Sequence, residues 1–483
     1  MSGHPTTSTP RAPGSGDPAH SVTQEHTATH ERTALRSSMK PRHLVMMSLG
    51  SAIGTGLFVG SGQVVQTAGP AALVAYVIAG FIVVCVMRML AEMVAADPNP
   101  GAFSYYAGKA LGPAAAFAVG WLWWLQMCLV VAAEAVAAAQ ILHELTPAVP
   151  SWLYALAVML AFTGINLVSV GGFGEFEYWF SLVKVAFVVV FLVVAAGFLV
   201  GLTPGESPGL SHLTDGSFMP TGVTGVAAAL LIVAFSFGGV EIVAIAAAET
   251  ARPRHSIASA TRAILWRILI FYMGSVAVMV LTVRWDDPDL HAAPFVTVLQ
   301  VAGLPALAAT LGVVIVVALL SSLNANLYGG SRMVFSLADR GHMGRGPIGR
   351  AFSGTNSRAV PVVAVLGTSV FGFAAVAANF FFGAAVLGFL LNLVGSTLIV
   401  TWLVTIVSHL VLRQRARREG TPLPLRMWAF PVLTWVVLAL VLAIVALGMT
   451  VPAVRSQLIA TALLTAVLFG LGWLATRRGT TAP

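Results

Sequence analysis

The sequence predicts an all-α integral membrane protein of about twelve transmembrane helices, with the first and sixth broken near their middles. Three observations lead there. Of the 483 residues 58% are hydrophobic and only 9% charged, far from the composition of a soluble domain of this length. The apolar residues fall into runs of about 20, the length that crosses the hydrocarbon core of a bilayer. Glycines then crowd two of those runs, where a helix interior normally avoids them at a cost of about 1 kcal/mol each relative to Ala.

The first 39 residues stand apart: Pro, Thr, Ser, Gly and His dominate and no apolar period appears, so 1–39 reads as a disordered tail without the apolar core of a signal peptide. Apolar runs follow near 44–66, 70–96, 113–143, 151–170, 178–201, 221–248, 257–283, 303–335, 360–382, 384–412, 428–450 and 454–476. Lys and Arg test their topology, because they collect in cytoplasmic loops. With the tail inside, the inner loops hold Lys109, Arg252, Arg254, Arg262, Arg340, Arg345, Arg350, Arg358 and the run Arg413 to Arg418, while the outer loops hold only Arg284 and Arg455. Both termini are therefore expected in the cytoplasm, at the inner membrane. The same distribution accounts for the net charge of +8 without a nucleic-acid partner, since arginines flanking a span anchor it in the lipid surface. Cys85 and Cys128 both lie within apolar runs and indicate neither a disulfide nor a metal.

The first break lies in Gly50-Ser-Ala-Ile-Gly-Thr-Gly-Leu-Phe-Val-Gly-Ser-Gly62. A backbone loosened at this depth must be buried in protein or line a wet cavity, and free N–H groups at the start of the following half-helix make an anion site. The same small-xxx-small spacing also serves close helix packing. The second break is Phe235-Ser-Phe-Gly-Gly-Val-Glu241, five spans later. Paired interruptions in corresponding positions of two halves point to an inverted repeat with a ligand site at the bilayer midplane.

At these residues the chain resembles the amino acid transporter family of bacterial and fungal permeases, within the amino acid-polyamine-organocation superfamily. The resemblance rests on the segment 50–62, on Met87-Arg-Met-Leu-Ala-Glu-Met93 with Pro100 to Tyr106, on Phe173 to Phe180 with Lys184, and on Phe235 to Thr250, Trp266 to Tyr272 and Ser321 to Tyr328, in that order. It implies a ten-helix core over 40–415, built as five helices repeated in inverted order, and two additional helices with a short cytoplasmic end over 416–483. It also implies secondary transport of amino acids, usually coupled to protons, with no cofactor. Glu134 in Leu129-Val-Val-Ala-Ala-Glu134 and the run Glu241 to Thr250 look most like the branch with permeases for 4-aminobutyrate, aromatic amino acids and proline.

An amino acid brings one carboxylate and one ammonium, and two broken helices can serve both. The N–H groups of Thr55, Gly56 and Leu57 with the Thr55 hydroxyl are expected to bond the carboxylate, and the carbonyls of Ala52, Ile53, Phe235 and Ser236 to take the ammonium. Gly54, Gly56 and Gly238 let a solute approach the backbone. Phe235 and Phe237 would be lids over the bound solute or ordinary core residues. Glu134 could read a cationic or hydroxyl group of the substrate.

Lys184 is one of three lysines and follows Glu175-Phe-Glu177-Tyr-Trp-Phe into an apolar run, where an ionisable group is a functional candidate. The resemblance puts it where sodium-coupled relatives hold their ion, near Ser321 and Ser322, so that protons replace sodium; the alternative is a lysine snorkelling to the surface. Glu241 would brace the second break or relay protons. Arg88 and Glu92, one turn apart, would form a gate or a structural ion pair. Gln126 and Asn392 are polar candidates for lining the cavity, with a satisfied interhelical hydrogen bond the preferred reading of both.

No nucleophile elbow, metal-binding motif or Walker loop appears, which argues against an enzyme. Isolated polar residues argue against a continuous channel. An amino acid importer working by proton symport is the expectation; an amino acid exchanger and a transporter-like sensor are the alternatives.

Overall fold

In a computed structural model the described residues are 53–99, 102–168, 173–214, 217–239, 268–290, 293–344, 346–357 and 360–477. The expected tail and the start of the first span lie outside them. Residues 40–483 belong to one compact unit.

The described chain is helical. A π-helical turn Gly56–Gly60 leads into α1, Ser61–Ala68. Gly69 then takes φ 63° and Pro70 follows it, which ends α1 and turns the chain into α2, Ala72–Ala96. A short α3, Ala102–Leu111, precedes α4, Pro113–Leu145, which starts on Gly112 at φ 98° with Pro113 in the first turn, where its missing N–H costs nothing. Next come α5, Ser151–Val168, and α6, Phe173–Leu199. After α7, Gly222–Ser236, the description resumes in a π-helical stretch Ile268–Met273 continuing as α8, Gly274–Thr282. The helices α9, Pro294–Val301, α10, Pro305–Asp339, and α11, Val362–Phe382, follow. The last three are α12, Ala385–Arg418, α13, Val432–Gly448, and α14, Pro452–Arg477.

Eight helical stretches are long and apolar enough to cross a membrane, one of them covering α1 and α2 together, and α7, α8 and α13 are shorter apolar helices. These give the expected set of about twelve spans among the described residues, close to the predicted boundaries. Among the elements that the hydropathy runs did not show are α3 and α9, connectors too short to register as spans, and the shorter helical segments Ser211–Thr214 and Pro347–Phe352.

Helix α4 is the hub, packing against α3, α5, α10, α11, α12 and α14. It can do so because its inner half is alanine-rich: Ala132, Ala133, Ala135, Ala137, Ala138 and Ala139 are all buried. Small side chains let backbones approach where lipid offers no hydrophobic drive between helices. The outer helices instead turn Leu160, Val193, Leu463 and Phe469 outward, the pattern of a lipid-facing surface.

Candidate functional site

The described part of each predicted interruption falls where the glycines cluster, and residues 1–52 and 240–267 lie outside the described residues. Ile53 and Gly54 are non-helical, and the helical turns begin at Thr55. At the other break α7 stops at Ser236: the Phe237 N–H reaches back to the Val233 and Ala234 carbonyls, the Gly238 N–H donates to the Phe235 carbonyl at 2.8 Å, and Gly239 takes φ 92°. Ala52 and Glu241 lie outside the described residues.

The two broken ends meet at Gly56 and Ser236. A Cβ on Gly56 would stand 2.4 Å from Ser236 Cα, so this crossing admits only glycine. The Ser236 hydroxyl points to the Gly56 carbonyl at 2.8 Å and the Ile232 carbonyl at 3.0 Å. Gly56 thus serves helix packing here, beyond the solute approach expected of it. Leu57 donates its N–H to the Gly54 carbonyl at 3.1 Å, and that group is already used inside the first turn.

The donors of Thr55 face a carboxylate of the protein itself. Glu134, 2% exposed, projects from α4 to the start of the helical turns. Its Oε2 accepts from the Thr55 hydroxyl at 2.6 Å, and its Oε1 from the Thr55 N–H at 3.3 Å and the Ser322 hydroxyl at 2.8 Å. Gly54 makes room, since a Cβ there would lie 2.6 Å from Oε1. Lys184 is 1% exposed, so it does not snorkel to the surface. Ser321 and Ser322 are buried on α10, which packs against the helix that carries Lys184.

Around this centre is a cavity of about 50 Å³, well below the roughly 300 Å³ at which ordinary ligand pockets begin. Gly54, Thr55, Gly56, Glu134, Phe235, Ser236, Gly238 and Ser322 line it. Ile53 and Leu57 are fully buried beside it and are not in its wall. Phe237 is also outside the wall, packed edge-on against Tyr76 at a ring-centre distance of 5.8 Å and close to Tyr272 at 5.0 Å.

Sequence reasoning did not assign Trp123, Met127 and Val130 on α4, Asn326 on α10 or Val394 on α12, which complete the lining. The α4 positions share one face with Gln126 and Glu134 at helical spacing, but a stripe of that kind reads equally as core. Gln126 is 8% exposed, and its side-chain oxygen is buried without a hydrogen-bond partner. It is therefore not the satisfied interhelical contact expected of it. Nor is Asn392, which donates to the Gly388 carbonyl of its own helix at 3.0 Å and leaves its side-chain oxygen buried without a partner.

A family model described as amino acid permease matches residues 43–479. The chain belongs to that family. Among its relatives, the gamma-aminobutyric acid permease of Bacillus subtilis is 40% identical over 90% of this permease and 93% of its own length. The aromatic amino acid transport protein AroP of Corynebacterium glutamicum is 44% identical over 89% and 93%. The probable GABA permease of Pseudomonas aeruginosa is 42% identical over 92% and 94%. A crystal structure of a mutant manganese transporter from Eremococcus coleocola shares the fold, with a TM-score of 0.52 at 15% identity over 91% of this permease and 96% of that chain. The permease is accordingly a multi-pass membrane transporter of amino acids.

A second buried carboxylate lies at the end of the permease that carries Lys109 and Arg413. Glu92, expected to pair with Arg88, instead has Oε2 2.6 Å from Arg413 Nη1 and Oε1 3.3 Å from His409 Nε2, both on α12. Its Oε2 also accepts from the Met427 N–H at 2.5 Å. Arg88 donates to the Arg426 carbonyl at 2.9 and 3.1 Å and lies over the Trp428 ring. Residues one turn apart thus have different partners: the segment after α12 takes Arg88 through the Arg426 carbonyl, and α12 with the neighbouring Met427 amide takes Glu92. Nearby, burial works against the Asp97 charge, but hydrogen bonds from Lys109 and Tyr105 hold its carboxyl below the usual carboxylate range. A cavity of about 300 Å³ opens among these groups, with Tyr106, Arg415 and Glu419 in its wall.

Proposed function

We propose that this permease imports an amino acid across the cytoplasmic membrane by proton symport and alternating access, with both termini in the cytoplasm. The observation that carries the proposal is the buried meeting of the two glycine-marked helix ends at a polar cavity, with two ionisable side chains, Glu134 and Lys184, buried in the apolar interior. An ionisable pair at such depth marks a substrate or proton pathway. Thr55 and Gly56 would hold the substrate carboxylate, and the carbonyls of Ala52, Ile53, Phe235 and Ser236 its ammonium. Gly54 and Gly238 leave room for the solute at the two breaks, while Leu57 backs the first turn. Glu134 borders this set and holds the Thr55 donors in the structure described.

For coupling, Lys184 stands where a sodium ion would repel it strongly at low dielectric, so uptake is expected to need no sodium. A charged Lys184 would hold its own helix to the first break and to the Ser321 and Ser322 hydroxyls, and losing its proton would release them, biasing one side of the access cycle. Glu241 would assist at the second break.

The substrate proposed is an amino acid of the 4-aminobutyrate type. Two relatives bear that ligand in their names. The unpartnered Gln126 oxygen in the cavity wall also suits a ligand with a hydrogen-bond donor away from its carboxylate.

Uptake of radiolabelled 4-aminobutyrate, phenylalanine and proline into proteoliposomes, under an imposed pH gradient or an imposed sodium gradient, tests this reading. Accumulation of 4-aminobutyrate driven by the pH gradient, and lost in Lys184→Ala, is expected. Sodium-driven accumulation, or proton-driven accumulation undiminished in the variant, overturns the coupling. Counterflow without response to either gradient identifies an exchanger, and binding without movement a sensor.

A further inference from the structure

The Thr55 amide and hydroxyl are the donors that the proposed function gives to the substrate carboxylate, and they already hold Glu134. This occupant is closely fitted. The Ser322 hydroxyl closes on the same carboxylate from α10, and Gly54 is hollowed to within van der Waals reach of its oxygen. Three hydroxyl or amide hydrogens to one carboxylate is the environment that a free amino acid's carboxylate would require, and here the Glu134 side chain occupies it.

We infer that Glu134 is an internal stand-in for the substrate carboxylate, and that substrate binds only as Glu134 takes up a proton and gives up the Thr55 donors. The inference rests on the proposed binding mode at Thr55. It names the group whose protonation admits the substrate, a separate event from any role of Lys184. One set of donors cannot serve two carboxylates, and two anions confined at this depth repel. A protonated Glu134 no longer competes: it carries an O–H of its own and can donate where it previously accepted. The balance is one proton bound to a Glu134 oxygen per substrate carboxylate admitted, with no other bond made or broken.

The groups that face Glu134 fit this exchange. Among the described residues, α6 contributes Lys184, while the first break and α10 contribute the uncharged Thr55 and Ser322. On α4 itself, the residues lining the same cavity are the uncharged Trp123, Gln126, Met127 and Val130. No arginine is ion-paired to Glu134 among the described residues, in contrast to Glu92.

The test has two arms. In the first, the affinity of purified protein for 4-aminobutyrate and for phenylalanine is measured from pH 5 to pH 8 in wild type and in Glu134→Gln. Wild-type affinity should weaken towards a tenfold loss per pH unit on the alkaline side, the slope of one linked proton. The Gln variant should bind at least as tightly as wild type at pH 5 and keep that affinity across the range. Loss of binding at every pH in Glu134→Gln would make the glutamate a counter-ion for the substrate ammonium, and a wild-type pH slope in the variant would move the proton elsewhere; either outcome overturns the inference.

The second arm uses no amino acid and stands even if neither probe binds, which would count against the proposed substrate class alone. Glu134→Ala leaves the Thr55 and Ser322 donors without their carboxylate. Acetate or propionate should then raise the melting temperature of the variant by several degrees and leave wild type unmoved, while methylammonium raises neither. Equal response of variant and wild type to acetate, or none in either, overturns the inference.

Discussion

Two carboxylates are buried to the same degree in this permease, and their surroundings differ in kind. Glu92 and Glu134 are each 2% exposed on helices of the packed core. Glu92 is met by Arg413 and His409 at ion-pair distance and by the Met427 amide. Glu134 is met by two hydroxyls and one amide, with a lysine nearby. An arginine cannot give up its proton, so Glu92 always has a cation beside it, and its contacts tie α2 to α12 and to the segment that follows it. Hydroxyls and amides can be handed to another acceptor of the same shape without stranding a charge. The comparison teaches that burial alone does not separate a structural acid from a functional one; the chemistry of the partners does.

The largest break in that comparison is expected from Glu92→Ala. Removing one partner leaves Arg413 and His409 in a buried site without their carboxylate, at a cost of about 3–5 kcal/mol. The expected outcome is loss of most monodisperse protein in detergent, or a collapse of the melting temperature; a fall of only a degree or two would show that water replaces the pair and that Glu92 is not structural.

Gly54→Ala should act next, and at the other acid. The added methyl lies 2.6 Å from Glu134 Oε1 and 3.1 Å from the Ser322 oxygen, so it pushes the carboxylate off the Thr55 donors. The expected destabilisation is that of a modest overpacking, about 1–3 kcal/mol, read as a lower melting temperature in a protein that still inserts and purifies. A melting temperature equal to wild type would mean that the carboxylate is not held where Gly54 meets it.

The smallest effect belongs to Asp97, whose pairing with Lys109 is solvent-accessible. The folded carboxyl is held below its unfolded value, so its contribution is present at pH above about 4 and is lost as the pH falls through the lower folded value. Solvent screens the pair, and Asp97→Asn should cost less than about 1 kcal/mol at neutral pH, and nothing once the pH is low enough to protonate the wild-type carboxyl. Melting curves at neutral and acidic pH check this; a large neutral-pH loss would make the contact part of the Glu92 assembly.

Much of this molecule was legible from residue order. Hydropathy placed the spans to within a few residues because a bilayer imposes one length on every crossing helix. Glycine density marked the start of the first described helical turns, just after Gly54, and the end of α7, where Gly239 takes φ 92°. Its apolar run marked Lys184 as a candidate for burial but left a snorkelling side chain open, and the 1% exposure of Lys184 decides between them.

Partner choice was not legible. Arg88 and Glu92 sit one helical turn apart and look like a pair, yet each is taken by a segment more than 300 residues away. Thr55 and Glu134 are 79 residues apart, and nothing in either neighbourhood names the other. The sequence by itself determined where helices run, where two of them break and which polar residues are carried into the membrane, because those follow from local propensity and solvent. Only the tertiary structure decided that the donors of the first break face Glu134, that Gly56 is filled by Ser236, and that Gln126 reaches the cavity with a free oxygen. Those outcomes depend on how helices distant in sequence are rotated and set against one another, which is fixed by packing summed over the whole bundle.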